Sequence, residues 1–359
     1  MKKIIILLLT VVATAHARPA AELPRVQLIR EYQVSDTAGP FFFRHPGNPV
    51  FGPQGELILR DQRQLLIFDS GRRFIANLYQ PGEGPGELQG IIGIWPGAGR
   101  FRVFNSAPGK MVIFDYRGNH IREVYYPKPL YKSRLLSRVE GRYFFTEEEY
   151  RNPASGEKTI DTRVRIFSLD EQGHFLGYLD SGFTKKYFLG PATIMNLNFI
   201  QTGTADHRNI FLAHSGLYEL KHLDLSADTI TSLFSREYPK VKIRNEWRRY
   251  THPTSYRTRR RYFRHTLDDI LRIRVLDDKI WLFTSTWIDG QGLRVDVVST
   301  RGESLGSFAF PLPGGIHHSV LSHAPLTFHG HRLWVFEQDE SGSLVLNGYR
   351  LSNIPPWAR

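Results

Sequence analysis

The chain has 359 residues, 41 % of them apolar, a formal charge of +12 and no cysteine. That much apolar sequence can bury a large core without staples, and the missing cysteine excludes disulfides, thiol catalysis, thiolate metal sites and a lipidated-cysteine anchor. The charge is local: Lys2 and Lys3 leave with a predicted leader, and residues 240–264 hold ten Lys/Arg against Glu246, so the rest of the chain is nearly neutral.

The N-terminus sets the address. Lys2 and Lys3 precede an apolar run over residues 4–12, and Ala15-His16-Ala17 offers a small-x-small cleavage pattern. This is the layout of a secretory leader. Its core falls short of the roughly 20 residues a membrane span needs. The reading is a leader over residues 1–17 and one mature domain over 18–359, exported to a periplasm or secreted, with no later transmembrane segment.

Next comes a strand that precedes any repeat, residues 25–34, followed by six copies of one pattern: a polar or glycine turn, then an apolar strand. Anchored on their first apolar residues, the copies begin at Leu57, Phe101, Tyr143, Ile210, Ile280 and Leu333, spaced by 44, 42, 67, 70 and 53 residues. A second strand follows each, as in Leu65-Leu66-Ile67-Phe68 and Met111-Val112-Ile113-Phe114, and most end in an Asp/Gly turn. β-branched and aromatic residues between turns that tolerate positive φ predict antiparallel hairpins. A repeat of about 40–50 residues is the length of a propeller blade. The fold class predicted is all-β, a six-bladed β-propeller whose N-terminal strand completes the last blade and removes an open edge. A β-sandwich or two unrelated β domains are the alternatives, and a degenerate repeat hidden in an insertion would make the count seven.

The run Ile67-Phe68-Asp69, its turn, Phe74-Ile75 and then Gly82-Glu83-Gly84-Pro85-Gly86-Glu87 resembles the extracytoplasmic six-bladed propellers of the NHL-repeat type, and Ile113-Phe114-Asp115 with Gly118 repeats part of it. The resemblance spans about residues 48–127. Later units lack the Gly-Pro-Gly-Glu loop. It implies a fold, and a group made mostly of binding or scaffolding proteins.

In such a blade the loop between strands two and three shares a rim with the blade-to-blade connections. All the long segments fall on that rim: residues 82–87, 147–161, 180–195 and the basic insertion at about 238–265. Long loops on one side of a rigid scaffold mark a working surface. The insertion supplies Trp247, Arg248, Arg249, Tyr256, Arg257, Arg259, Arg260 and Arg261 as binding residues. Arginine suits bidentate contact with carboxylate, sulfate or phosphate. With a leader present, the expected partner is an acidic glycan, an anionic surface or an acidic protein, and not nucleic acid. Pairing with the acidic Glu147-Glu148-Glu149 is the competing use.

Other signals are weaker. Gly82, Gly84, Pro85, Gly86 and Glu87 form a glycine-rich loop without the Gly-Lys-Ser/Thr of a phosphate loop, and read as a structural turn. His317, His318, His323, His329 and His331 lack consistent ligand spacing, so no metal and no cofactor are expected. Ser168 to Gly173 is read as a hairpin turn. The function expected is an exported, non-catalytic binding or scaffold propeller. The alternative is a lactonase- or glycosidase-like hydrolase or lyase with carboxylates at the channel mouth, for which Asp61, Glu87 and Glu147 are the catalytic candidates.

Overall fold

The structure is a computed structural model that describes residues 22–36, 39–126, 130, 133–149, 157, 159–189, 194–196, 200–205, 209–225, 227–243, 266–314, 321 and 324–359, with backbone alone at 185–189, 194–196 and 200–205. The described residues form six antiparallel sheets.

The first strand, β1 (Gln27–Ser35), belongs to the last sheet. Blade 1 holds β2 (Val50–Phe51), β3 (Leu57–Asp61), β4 (Gln64–Phe68) and β5 (Phe74–Asn77). Blade 2 holds β6 (Ile91–Gly97), β7 (Arg100–Asn105), β8 (Lys110–Asp115) and β9 (His120–Tyr125). Blade 3 has five strands: β10 (Arg134–Val139), β11 (Arg142–Glu149), β12 (Thr159–Leu169), β13 (Phe175–Leu189) and β14 (Ile194–Asn196). Blade 4 runs β15 (Ile200–Ala205), β16 (Asn209–His214), β17 (Glu219–Asp224), β18 (Thr229–Ser235). Blade 5 runs β19 (Ile270–Leu276), β20 (Lys279–Ile288), β21 (Gly292–Ser299), β22 (Ser304–Phe310). Blade 6 is β23 (Leu326–His329), β24 (Arg332–Gln338), β25 (Leu344–Ser352) and finally β1.

The first strands of successive blades lie against one another, β2 with β6, β6 with β10, β10 with β15 and β15 with β19, so they line the axis. The middle strands are buried on both faces: β3 and β4 expose only Arg60, whereas β5 alternates half-buried and exposed residues. A strand sandwiched between two neighbouring blades must be apolar on both sides. That is why the middle strands read as continuous apolar runs.

Each seam between blades has its own core. Leu59 and Phe68 meet Phe336 and Leu346 between blades 1 and 6, and Ile58 and Ile67 meet Phe101 and Val103 between blades 1 and 2. Phe104 and Phe145 fill the next seam, Phe144 and Ile210 the one after, then Phe211 with Leu282, and Phe283 with Leu333. Each such side chain contributes roughly 1.5–3 kcal/mol by leaving water. Six seams filled in this way leave a ring as the arrangement, not stacked layers.

The N-terminal segment closes the ring. The Ala309 amide donates to the Pro24 carbonyl (2.8 Å) and the Val26 amide to the Ala309 carbonyl (3.1 Å), beside the outer strand of blade 5. The chain then crosses to blade 6, where β1 pairs with β25 from Gln27 opposite Ser352 to Ser35 opposite Val345. Glu31 fastens it, accepting from Arg350 (2.6 Å) and Arg332 (2.9 Å). The C-terminus joins the same seam: the Trp281 indole N–H donates to the Ala358 carbonyl at 2.9 Å.

Two expected loops are strands instead. Residues 180–189 continue β13, and 194–196 form the extra strand β14. Glu147 to Glu149 end β11 and residues 159–161 begin β12, so that insertion is an extended hairpin. Here buried Ile160, Thr162 and Val164 alternate with exposed Asp161 and Arg163 and carry the ladder on past the rim. Among the described residues no helix is long and apolar enough to cross a membrane.

Candidate functional site

Strand order sorts the loops as the sequence implies. Connections between blades and between second and third strands share one rim, and every long segment, including 236–269 and 311–325, opens there. Among the described residues the opposite rim carries only tight turns. In these, Asp115 Oδ1 accepts from the Arg117 and Asn119 amides, and Asp170 Oδ1 from those of Gln172 and His174. The Ser168–Gly173 segment is therefore a hairpin turn.

The glycine-rich loop is built around a cation of the protein itself. Lys110 is fully buried. Its ammonium donates to the carbonyls of Gly84 (2.6 Å) and Glu83 (3.1 Å) and to Glu123 Oε2 (3.1 Å). Glu123 also accepts from the Gly86 amide and the Tyr125 hydroxyl. Burial opposes the Glu123 charge, but these donors hold its pKa below the usual value. Gly82 has φ +154°, and a Cβ there would meet Glu87 Oε2 at 1.9 Å. A phosphate loop turns amides inward; this one turns carbonyls.

The carboxylates considered for catalysis have local tasks in separate parts of the ring. Asp61 is fully buried in blade 1, accepting from the amides of Arg44 (2.7 Å) and His45 (2.8 Å). It thereby fixes the segment that inserts Phe41 and Phe43 into the seam of blades 1 and 6. Glu87 accepts from the Gly84 amide of its own loop at 2.8 Å. Glu147 is on β11 in blade 3, facing Arg165 of β12 at 3.4 Å. Among the described residues no cluster of His, Asp and Glu has the makings of a metal site. His329 stacks on Phe51, and burial lowers its pKa.

Residues 244–265 lie outside the described residues, and with them Trp247, Arg248, Arg249, Tyr256, Arg257, Arg259, Arg260 and Arg261. The stems of the insertion are described. Lys242 and Thr266 form an antiparallel bridge, and the Leu267 amide donates to the Val241 carbonyl at 2.8 Å. The insertion leaves the outer strand of blade 4 and returns through Leu267 to Asp269 into β19, the innermost strand of blade 5.

At its foot is an open cleft of about 500 Å³ lined by Tyr218, Arg236, Tyr238, Lys240 and Asp269. Its charges are largely spent. Asp296, buried beneath, accepts from Tyr218, Arg236 and Ser307 at 2.5 Å each and from Arg294 at 2.8 Å. Burial disfavours that carboxylate, yet Ser307, Tyr218 and Arg294 keep its pKa below the ordinary range. Burial raises the pKa of Asp269, and Lys240 at 2.6 Å works against the rise. The Tyr218 and Tyr238 rings stack at 4.7 Å.

Two arginines that sequence reasoning passed over stand at the channel mouth on this rim. Arg272, third residue of β19, donates to the carbonyls of Leu326 (2.9 Å), Ala324 (3.2 Å) and Leu321 (3.4 Å) as they enter blade 6. Burial pushes its pKa down to about 9, and the nearby charge of Arg134 adds to the shift. Arg134 opens β10, innermost in blade 3. The residue is solvent-exposed, and crowding by protein atoms lowers its pKa. The available signal was an arginine breaking an apolar run, Ile270-Leu271-Arg272-Ile273.

No known family profile matches the sequence, and no curated protein matches it. Solved structures share the fold. A Bacteroides vulgatus member of the DUF4221 family is 13 % identical, with a TM-score of 0.53 over 93 % of this chain and 100 % of that one. A Bacteroides fragilis protein, inferred to be exported, is 10 % identical, with a TM-score of 0.50 over 91 % of this chain and 95 % of the other. A gluconolactonase of Xanthomonas campestris is 13 % identical, with a TM-score of 0.47 over 93 % and 99 %. At these identities the likeness is one of fold.

Proposed function

We propose that this protein is an exported, non-catalytic binding propeller that engages an acidic partner on its long-loop rim. The supporting observation is where the basic insertion is rooted. Its stems join the outer strand of blade 4 to the innermost strand of blade 5, and its return stem ends three residues before Arg272. Stems on that rim favour a partner met on the long-loop face. The leader-like N-terminus supports export. Against the enzyme alternative, Asp61 and Glu87 accept hydrogen bonds from backbone amides and Glu147 faces Arg165.

Acidic glycans, anionic membranes and acidic proteins share the carboxylate, sulfate or phosphate chemistry that arginine reads. The test compares the mature chain with an Arg257/Arg259/Arg260/Arg261→Ala variant on an acidic polysaccharide, on anionic vesicles and on an acidic protein. Loss of retention on one matrix, steepest at low salt, identifies the partner class. Equal retention of both proteins on all three overturns the reading.

A further inference from the structure

We propose that His214 is an acid-sensitive latch beneath the basic insertion: its neutral imidazole shapes the turn that carries both stems, and a proton on that ring releases them. His214 ends β16, and the turn it opens leads into β17 on the long-loop rim. Two successive carbonyls of this turn each take one stem. The Ser215 carbonyl accepts from the amides of Asp269 (2.7 Å) and Ile270 (3.2 Å) on the return stem. The Gly216 carbonyl accepts from the Lys240 ammonium (3.1 Å) on the outgoing stem, and Lys240 also reaches Asp269 at 2.6 Å.

The imidazole holds those carbonyls in place. The Gly216 amide can only donate, so Nδ1, 3.1 Å away, is the bare nitrogen. The Thr184 carbonyl on β13 can only accept, so Nε2, at 2.8 Å, carries the proton. Only the neutral ring satisfies both contacts; in the imidazolium both nitrogens donate, and Nδ1–H would face N–H. In the corresponding turn of blade 6, Asp339 Oδ1 accepts from the Ser341 amide at 2.9 Å, again two residues on. A carboxylate remains an acceptor through mild acid, and an imidazole does not.

His214 is buried, its ring 5.5 Å from that of Phe183. Burial keeps its pKa below the ordinary value, and Lys221 on β17 acts in the same direction. The Thr184 carbonyl, Asp268 before β19 and Glu219 on β17 favour the proton but are outweighed. An opened turn returns the ring to its ordinary pKa of about 6.5. Opening therefore gains about tenfold for each pH unit below that, until the native value is reached. The latch is shut at pH 7, and at pH 5 its opening is favoured by up to about thirtyfold. What the release does to binding rests on the function proposed above, whereas the latch itself can be read without a partner.

Hydrogen exchange of the mature chain, followed by mass spectrometry at pH 7 and pH 5 and expressed as protection factors, tests the latch. Peptides covering residues 214–218 and 267–271 should lose about tenfold or more of their protection at pH 5, while β3 and β4 keep theirs. His214→Asn retains an acceptor for the Gly216 amide but takes up no proton, and should be protected equally at both pH values. His214→Gln is the second variant without a titrating ring. In the parent, an NMR titration of the imidazoles should show His214 with its proton on Nε2 at pH 7 and a pKa below about 6.5. Unchanged protection in the parent, or the same acid loss in His214→Asn, overturns the latch. So does a loss shared by β3 and β4, which makes the effect one of the whole ring, or a His214 pKa at or above the ordinary value.

Discussion

The guanidinium of Arg72 stands over the indole of Trp334, 4.6 Å from the ring centroid, and joins blade 1 to blade 6. It lies also over Phe51 and donates to the Gly55 carbonyl. To reach them Arg72 adopts φ +69°, at the turn position where other blades have Gly118 and Gly173. A side chain in the left-handed region costs roughly 1–3 kcal/mol, so a packing gain holds it there.

Arg72→Ala keeps the strain and loses the contact, and is expected to destabilise by about 2 kcal/mol. Arg72→Gly loses the contact but relieves the strain, and should be about 1 kcal/mol less damaging. Urea titrations of the two variants decide it. Equal losses would mean the turn is not strained.

Lys110→Met should be among the most disruptive single changes, at about 3–5 kcal/mol, because Glu123 stays behind without its cation. Adding Glu123→Gln should restore part of the loss. A double-mutant cycle with no coupling would remove the ammonium from its role as the centre of the 82–87 loop.

Asp296→Asn removes the charge and one of the two acceptor oxygens shared by Tyr218, Arg236, Arg294 and Ser307, with an expected loss of about 3 kcal/mol at pH 7. The native pKa of Asp296 lies below its ordinary value, so the stability it confers is full above the unfolded Asp range, about 3.9, and is lost as pH falls through the native value. The variant should therefore converge on the parent in acid. Parallel stability curves from pH 7 to 3 would contradict this.

Val26 has no exposed surface and packs with Leu351 and Ile354 in the seam of blades 5 and 6. Val26→Ala should cost about 2 kcal/mol, and Val26→Asp considerably more, since a carboxylate there would have no partner. A loss under about 0.5 kcal/mol for Val26→Ala, at the level of an ordinary surface change, would detach the N-terminal segment from the cooperative fold.

The blades were legible because their middle strands must be apolar on both faces: the six anchors became β3, β7, β11, β16, β20 and β24. The innermost strands were not. β6 runs through Trp95-Pro96-Gly97 and β2 has two residues, so neither length nor alternation marks them. The turn at Asp69-Ser70-Gly71 was legible, but not that its left-handed residue is Arg72. Of the candidate site, the rim could be read from loop lengths. The role of Lys110 could not, since nothing in sequence distinguishes a lysine that ends up inside a loop from one in water. The position of Arg134 was equally silent, because it depends on which strand faces the axis.

β1 mates with β25, so residues 27–35 stay unpaired until residues 344–352 have been synthesised. No copy cut short before Leu344 can finish its circle. Such a fragment presents a bare strand edge on β24 and an unmated β1, both ready to pair with another chain or to be seized by a protease. Shape itself thus distinguishes finished molecules from abandoned ones.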